Sequence, residues 1–179
     1  MEHSKNIYRF DGDICIGTDS KGREFIFDSC FYDKIKEYCW YVNTNGYVTS
    51  HYYRSDGKRT ALYMHRLLFD MDEYDTAHPI DHINHNGTDN RMSNLRICTT
   101  QENGMNRKAS KNNKIGVKGV HKTSCGKFKA QIKYNQKMIA IGEYPTIKEA
   151  SDAYDKMAKL LFGEFANLNN YEEDKNERN

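Results

Sequence analysis

Short runs of strand-forming residues, separated by glycine-containing turns, recur along this chain and favour small antiparallel sheets. In the first sixty residues ICIG and REFIF flank TDSKG, WYV and YVTSHYY flank Asn45-Gly46, and Asp56-Gly57 follows. Asn-Gly and Asp-Gly between such runs predict hairpins in which both turn residues reach positive φ. We therefore expect a β meander over residues 1–60. Short helices are predicted within FYDKIKEY and MHRLLF.

The middle of the chain changes character. From Asp81 to Asn106 the sequence DHINHNGTDNRMSNLRICTTQENGMN is rich in Asn, Gly and Asp, and it contains the strand-like run LRICT. This pattern predicts a strand, a long loop and a second strand. Thr99-x-x-Glu102 has the spacing of a capping box, so a helix should begin near Thr100 and contain Asn103.

The third region has a different pattern. RKASKNNK, residues 107–114, is polar and basic without periodicity, which is typical of a linker. GVKGVHK, KFKAQIKY and KMIAIGEY then predict three strands. Apolar residues at 147, 150, 153, 154, 157, 160 and 161 form one face of an amphipathic helix that Gly163 ends. Tyr154 and Met157 lie on this face, so we expect them in the core rather than at a stacking or partner-binding site.

These patterns predict an α+β chain. With 37% hydrophobic and 29% charged residues the composition is that of a folded protein. The predicted organisation is a β-rich region (1–60), a strand–loop–strand–helix unit (61–107), a basic linker (108–113), a three-stranded antiparallel sheet packed on one helix (114–168) and a disordered tail (169–179).

A net charge of +2 conceals a segregation of charge. Residues 106–142 carry ten Lys or Arg and no Asp or Glu, whereas residues 1–105 carry 12 basic against 16 acidic side chains. Lys127, Lys129, Gln131 and Lys133 alternate with apolar residues, so one strand face is basic or hydrogen-bonding. Such a face favours a polyanion, because Lys and Arg neutralise phosphates and release counterions. A sheet can enter the major groove of DNA, where Gln can read adenine.

Asp81-His82 supplies the groups that phosphodiester hydrolysis requires, a base for water and a ligand for a cation. If the pair ends a strand, the two side chains point in different directions, one to a metal and one to the attacking water. Alternatively, the pair is a turn with an exposed histidine, and Asn94 only satisfies backbone groups in a loop. His78, His82 and His85 are an alternative zinc cluster, which Pro79 and the absence of cysteines at ligand spacing disfavour.

The middle region resembles the HNH endonucleases of phage and mobile-intron type over about residues 60–107. The resembling residues are His65-Arg66, Asp81-His82-Ile83-Asn84, Asp89-Asn90-Arg91, Asn94-Leu95-Arg96 and Glu102-Asn103. The resemblance implies a ββα-metal motif with His82 as general base, Asn94 as the residue that braces the loop and orients His82, and Asp81 and Asn103 as metal ligands. Asn rather than His as last ligand suits magnesium or manganese better than zinc. Arg66, Arg91 and Arg96 either hold phosphates or are solvated surface charges.

Residues 114–168 resemble the Apetala-type, or ethylene-response-factor, DNA-binding domain. The resembling residues are Gly116-Val117-Lys118-Gly119-Val120, Gly126 to Ile132, Ile141-Gly142-Glu143-Tyr144, Glu149-Ala150, Ala153-Tyr154-Asp155 and Phe162-Gly163-Glu164. By resemblance, the DNA contacts come from Lys118, His121, Lys122, Lys127, Lys129, Gln131 and Lys133. Cys125 and Ala140 stand where tryptophans are expected, and lysines replace arginines, so the site preference of the family does not carry over.

We therefore expect a site-recognising DNA endonuclease that uses Mg²⁺ or Mn²⁺ and acts on double-stranded DNA, as a homing or phage-mobility enzyme. Arg66 and Arg96 are counted among its DNA-binding residues. We expect a monomer with no membrane or small-molecule partner, located in the cytoplasm of a bacterial host. MEHSKNIYRF lacks the apolar run of a signal peptide, no stretch approaches the ~20 apolar residues of a membrane span, and the five cysteines form no close pair. The alternatives are a DNA-binding regulator with an inactive nuclease unit and an RNA-binding or RNA-cleaving protein.

Overall fold

A computed structural model describes residues 6–71, 77–110 and 112–172, and the chain divides into two compact units, Met1–Thr100 and Gln101–Asn179. The N-terminal unit contains β1 (Ile7–Asp11), β2 (Ile14–Thr18), β3 (Glu24–Asp28), α1 (Tyr32–Ile35), β4 (Tyr41–Val42), β5 (Val48–Tyr53), β6 (Arg59–Tyr63), α2 (Met64–Leu68), β7 (Ile80–His82) and β8 (Leu95–Ile97). Helix α3 (Thr100–Met105) begins at the last residue of this unit. The C-terminal unit continues with β9 (Val120–Lys122), β10 (Phe128–Tyr134), β11 (Lys137–Tyr144) and α4 (Ile147–Phe162).

The strands of the N-terminal unit form three small antiparallel sheets, β1-β2-β3, β4-β5-β6 and β7-β8. The predicted combination of small antiparallel sheets with few helices is confirmed. Strand β1 was not predicted, and α1 is shorter than the run FYDKIKEY. The core side of the sheets buries Phe25, Phe27, Ile35, Trp40 and Met64.

Several hairpin loops share one turn geometry, with glycine alone at positive φ. Gly46 has φ 84° and donates its N–H to Asn43 O, while Gly57 has φ 78° and donates to Arg54 O. Gly22 and Gly126 repeat this arrangement. Because Asn45 is not among the residues at positive φ, the prediction that both turn residues adopt it is wrong. These are three-residue loops in which only the last position requires glycine.

The buried carboxylate of Asp19 joins the β2–β3 turn to β4. Its Oδ1 accepts the backbone N–H groups of Lys21 and Arg23, and its Oδ2 accepts that of Val42. Arg23 also forms an ion pair with Oδ2 at 2.7 Å. Burial by itself raises the pKa of Asp19, but the hydrogen bonds from Arg23, Val42 and Lys21 outweigh it and bring the pKa to about 2.

The edge of β3 holds the loop between β7 and β8. Ile26 donates its backbone N–H to Thr88 O at 2.9 Å and accepts that of Asn90 at 2.8 Å. The backbone N–H of Met92 donates to Asp28 Oδ2 at 2.7 Å. The N-terminal sheet is thus part of the framework around Asp81-His82, a role that the sequence alone left open.

In the C-terminal unit, the sheet β11-β10-β9 packs against α4, as predicted. The Thr146 hydroxyl accepts the N–H of Glu149 at the start of α4, and Gly163, at φ 55°, ends it. Tyr154 is buried and Met157 packs on the same cluster, which confirms both as core residues. Leu160, however, is 77% exposed, so the prediction that it lies on the buried face is wrong.

Two predicted boundaries differ from the structure. Met105 packs with Tyr154 and Phe162, so α3 belongs to the C-terminal unit from Gln101 onward, and the division falls after Thr100, not within the predicted linker 108–113. The chain is also ordered beyond residue 168, because the backbone N–H groups of Asn169 and Asn170 donate to the Asp155 carboxylate. The predicted disordered tail is therefore wrong for residues 169–172, and residues 173–179 lie outside the described part.

Gly119 is the position where the C-terminal unit tolerates a side chain least. It has φ 74°, and an added Cβ would lie 2.2 Å from the Tyr154 ring. Gly126 has φ 82° with open space around it, so it is a matched control. We expect Gly126→Ala to cost about 1 kcal/mol from backbone strain, and Gly119→Ala to cost a further 1–3 kcal/mol or so from overpacking. Urea unfolding checks this, and equal losses would contradict the packing argument.

Candidate active site

Asp81 and His82 lie on β7, paired with Arg96 and Leu95 on β8. Both side chains are buried. The alternative of an exposed turn is therefore wrong, because the pair belongs to a strand whose two faces are both covered.

Arg96 forms an ion pair with Asp81 across the strands. Its Nε and one terminal nitrogen lie 3.0 and 2.8 Å from Asp81 Oδ2, and the side chains of Arg96 and Asp81 are 13% and 7% exposed. Arg96 is thus not a solvated surface charge. Arg66 is also buried, on α2, whereas Arg91 pairs with Asp89 and its side chain is 35% exposed. Arg66 and Arg96 therefore depart from the surface positions that one sequence hypothesis gave them.

The imidazole of His82 meets the side chain of Asn90. His82 Nε2 lies 3.4 Å from Asn90 Oδ1, and the Asn90 backbone is held by Ile26. Burial lowers the pKa of His82, and the bond to Asn90 together with the nearby Asp81 and Asp89 only partly offsets this. The ring is therefore neutral at neutral pH and able to accept a proton.

Asn94 ties the two ends of the loop together. Its Nδ2 donates to Asp89 O at 2.8 Å, its Oδ1 accepts the backbone N–H of Asn84 at 3.0 Å, and its own carbonyl accepts that of Ile83 at 2.9 Å. These are the bonds of a loop brace. The side chain that contacts His82 is that of Asn90, whereas the resemblance gave the role of orienting His82 to Asn94.

Asp89 is a second buried carboxylate that the sequence hypothesis gave no role. It accepts two hydrogen bonds from Arg91, at 2.8 and 2.7 Å, and one from Asn84 Nδ2 at 2.9 Å. The hydrogen bonds from Arg91 hold the pKa of Asp89 below its usual range. Asp89-Asn90-Arg91 stood in the quoted motif, so the polar triplet itself was the available signal for both Asp89 and Asn90.

Aromatic rings enclose the other side of His82. The ring of His65 lies 5.1 Å from it at an interplanar angle of 86°, and that of Tyr47 lies 5.6 Å away. Tyr63 lies 5.5 Å from His65. His65 Nδ1 is buried without a hydrogen-bond partner, and burial, together with the charges of His82 and Arg66, lowers the pKa of His65 to about 3. His65 therefore stays neutral at neutral pH.

The two residues predicted as metal ligands belong to different units. Asp81 lies on β7, and Asn103 lies on α3 in the C-terminal unit. Within the described ranges, no group of three or more His, Cys, Asp or Glu residues is placed to hold a metal, so a zinc cluster of His78, His82 and His85 is not supported. A carboxylate and an amide oxygen fit a hard cation such as Mg²⁺, which keeps several waters and phosphate ligands.

The sequence of the chain is similar to a known protein family. The sequence model described as HNH endonuclease matches residues 62–105. An uncharacterised HNH endonuclease of Acanthamoeba polyphaga mimivirus is 35% identical over 135 residues, which cover 74% of this chain and 67% of the relative. The chain belongs to the HNH endonuclease family. No solved structure matches it.

Membership makes the protein a nuclease that hydrolyses phosphodiester bonds, and the predicted enzyme class is confirmed. The family implies DNA as its substrate, and HNH nucleases generally depend on a divalent metal. None of the helices in the described part of the chain has the length and hydropathy needed to cross a bilayer.

The predicted DNA-binding residues of the C-terminal unit divide between the two faces of its sheet. Lys129 pairs with His121 on β9 and with Glu143 on β11, and paired residues share a face. The face away from α4, here called the basic face, contains His121, Lys127, Lys129, Gln131 and Lys133. Lys122 pairs with Phe128 and lies on the opposite face.

Lys118 does not lie on the basic face. Its Nζ donates to Met105 O at 2.6 Å, and burial lowers its pKa to about 8. The structure therefore does not bring Lys118 together with the other predicted DNA-binding lysines, because its ammonium group is bound within the unit.

Loss of Arg96 should cost far more stability than loss of an exposed arginine. Arg96→Met leaves the buried carboxylate of Asp81 without its guanidinium partner, for which we expect a loss of about 3–5 kcal/mol. Arg9 pairs with Glu24 at the surface, so Arg9→Met should cost about 0–1 kcal/mol. Chemical unfolding at pH 7 measures both. Similar small losses would mean that the Arg96–Asp81 pair is not held as a desolvated pair.

Proposed function

We propose that this HNH endonuclease is a site-recognising, metal-dependent enzyme that cuts double-stranded DNA, with His82 as its general base. The observation that carries the proposal is the environment of His82: a buried, neutral imidazole whose Nε2 meets Asn90, next to the Asp81–Arg96 pair. A base must be unprotonated at working pH to take a proton from water, and the lowered pKa of His82 supports this state.

Asn90 is proposed to orient the ring of His82, through the contact between Asn90 Oδ1 and His82 Nε2. In this role Asn90 keeps the ring from turning while His82 takes the proton from the attacking water. Asn94 supports this indirectly, since it holds together the ends of the loop that carries Asn90.

Asp81 and Asn103 are the proposed ligands of the cation, Mg²⁺ or Mn²⁺. When bound, the ion neutralises charge on the phosphate and on the departing oxygen. Arg96 fixes the orientation of the Asp81 carboxylate through two hydrogen bonds to Oδ2, as outer residues commonly do for metal ligands.

The C-terminal unit is proposed as an Apetala-type domain that binds the duplex through its basic face. His121, Lys127, Lys129, Gln131 and Lys133 share this face, and Glu143 is its acidic member. A sheet with this arrangement suits the major groove. We further propose that the enzyme acts as a monomer in DNA mobility. The viral relative supports a virus-encoded protein.

Plasmid nicking tests the catalytic proposal. With Mg²⁺ or Mn²⁺, wild-type protein should convert supercoiled plasmid to open circle, and His82→Ala should lower the rate by about 10²–10⁴-fold because general-base catalysis is lost. EDTA should abolish cleavage. His78→Ala is the matched control, since His78 is an exposed histidine close in sequence, and it should cut at the wild-type rate.

The outcomes separate the alternatives. Cleavage that survives in His82→Ala would place the general base elsewhere. Loss of cleavage in His78→Ala as well would support the alternative of a metal-binding histidine cluster. Plasmid binding without any cleavage by the wild type would favour a DNA-binding regulator.

Salt-dependent binding tests the basic face. Lys129→Ala/Lys133→Ala removes two cations, so we expect weaker duplex binding and a reduction of about 2 in the slope of log K against log salt. Lys156→Ala/Lys159→Ala, at exposed positions on α4, is the control of equal charge and should change neither quantity. Fluorescence anisotropy with a labelled duplex in EDTA gives both values. Equal effects of the two double variants would indicate general charge attraction rather than a binding face.

A further inference from the structure

The β4-β5-β6 sheet has one face in the core and one face turned away from it. Val48 and Leu62 are buried on the core side. The strand registers pair Tyr41 with Thr49, Thr49 with Tyr63, His51 with Ala61 and Tyr53 with Arg59. Paired residues share a face. The face opposite Val48 and Leu62, here called the tyrosine face, therefore contains Tyr41, Thr49, His51, Tyr53, Arg59, Ala61 and Tyr63, none of which is acidic. Thr49, between Tyr41 and Tyr63, is buried and is not part of the exposed surface.

The chemistry of the tyrosine face suits a phosphate backbone. Its side chains are hydroxyls, an imidazole and a guanidinium, and Ala61 is its one aliphatic residue, so it is not an apolar protein-docking patch. The Tyr41 hydroxyl and His51 Nε2 lie 2.6 Å apart, which fixes both groups. Tyr53, at the outer end, is 75% exposed.

Positive charge increases towards the tip of the β5–β6 hairpin. Arg59 and Lys58 are exposed there, and Arg54 is in the same turn. Asp56 is the acidic residue of this turn, with one carboxylate oxygen 4.0 Å from Arg54. The outer end of the face therefore carries a net positive charge, which is complementary to DNA.

The inner end of the same face reaches the active site. The Tyr63 ring lies 5.5 Å from His65, and the His65 ring lies 5.1 Å from His82. From Tyr63 to Arg59 the strand rises about 3.4 Å per residue, or roughly 14 Å in all. Successive phosphates of one DNA strand are about 3.4 Å apart along the helix axis, so this length corresponds to roughly four nucleotides.

We propose that the tyrosine face is a second DNA-binding surface, which contacts the sugar-phosphate backbone of the duplex from the scissile phosphate outward for roughly four nucleotides. The inference rests on the proposed role of His82 in cutting DNA. Duplex DNA is the favoured ligand because Tyr41 and Tyr63 are half-buried and cannot offer a full ring to an unstacked base. Hydroxyl and guanidinium groups at the outer end suit phosphate contacts.

Three variants of the hairpin test the surface: Tyr53→Ala, Arg59→Ala and the double variant. Each is made in the His82→Ala protein, so that the duplex is bound without being cut. Anisotropy with a labelled 30-base-pair duplex (about three helical turns) is measured at several salt concentrations. Arg59→Ala should reduce the salt slope by about 1, Tyr53→Ala should weaken binding without changing the slope, and the double variant should lose affinity on the order of 10-fold.

Arg9→Ala is the matched control, because Arg9 is an exposed arginine on β1, in a different sheet of the same unit. It should leave affinity and slope unchanged. All substituted positions are exposed, so thermal unfolding should be close to that of the parent. If the hairpin variants match Arg9→Ala in both quantities, the tyrosine face does not bind DNA and the inference is overturned.

Two further outcomes keep the inference separate from the proposed function. If His82→Ala cuts plasmid as the wild type does, the catalytic proposal fails, yet the binding data still decide whether the hairpin contacts DNA. If single-stranded DNA or RNA displaces the duplex and loses affinity in the hairpin variants, the surface binds a single strand and the duplex assignment is wrong.

Discussion

Two backbone hydrogen bonds at Ile26 hold the loop between β7 and β8 against the edge of β3, and the arrangement around His82 depends on them. They fix the backbone of Asn90, whose side chain meets His82. Asn94 and Asp89 then close the loop from within, so a strand edge outside the motif stabilises the motif itself.

The cost of desolvation explains why each buried carboxylate of the site is paired with a group of opposite charge. A buried charge is costly without a partner, and both buried carboxylates of the site have an arginine, Arg96 for Asp81 and Arg91 for Asp89. His82 has an amide partner and aromatic neighbours instead, and its pKa is lowered. The same burial that requires an arginine for each carboxylate therefore keeps the imidazole neutral, which is the state that the proposed general base needs.

The sequence predicted individual helices and strands better than it predicted which side chains contact each other. Local signals were sufficient to predict helix α4 and its end at Gly163, and the start of α3 near Thr100. They were also sufficient to predict a strand at Asp81-His82. Partners depend on register, which no local pattern reveals: Arg96 faces Asp81, and Lys122 faces Phe128, because of how strands align. Asn90 rather than Asn94 reaches His82 because Ile26 sets the path of the loop. Ile26 does so through backbone hydrogen bonds, which cannot be predicted from the identity of the side chains.

If the basic face and the tyrosine face both bind DNA, as proposed, their contacts can be weak individually. The basic face contains lysines, which are point charges with little directional preference, and the tyrosine face offers few cations. When modules are linked by one chain, binding of the first raises the effective concentration of the second, so avidity exceeds either affinity. In the proposed binding mode, selectivity would come from the requirement that both faces and the loop between β7 and β8 contact the same duplex, and not from any one tight contact.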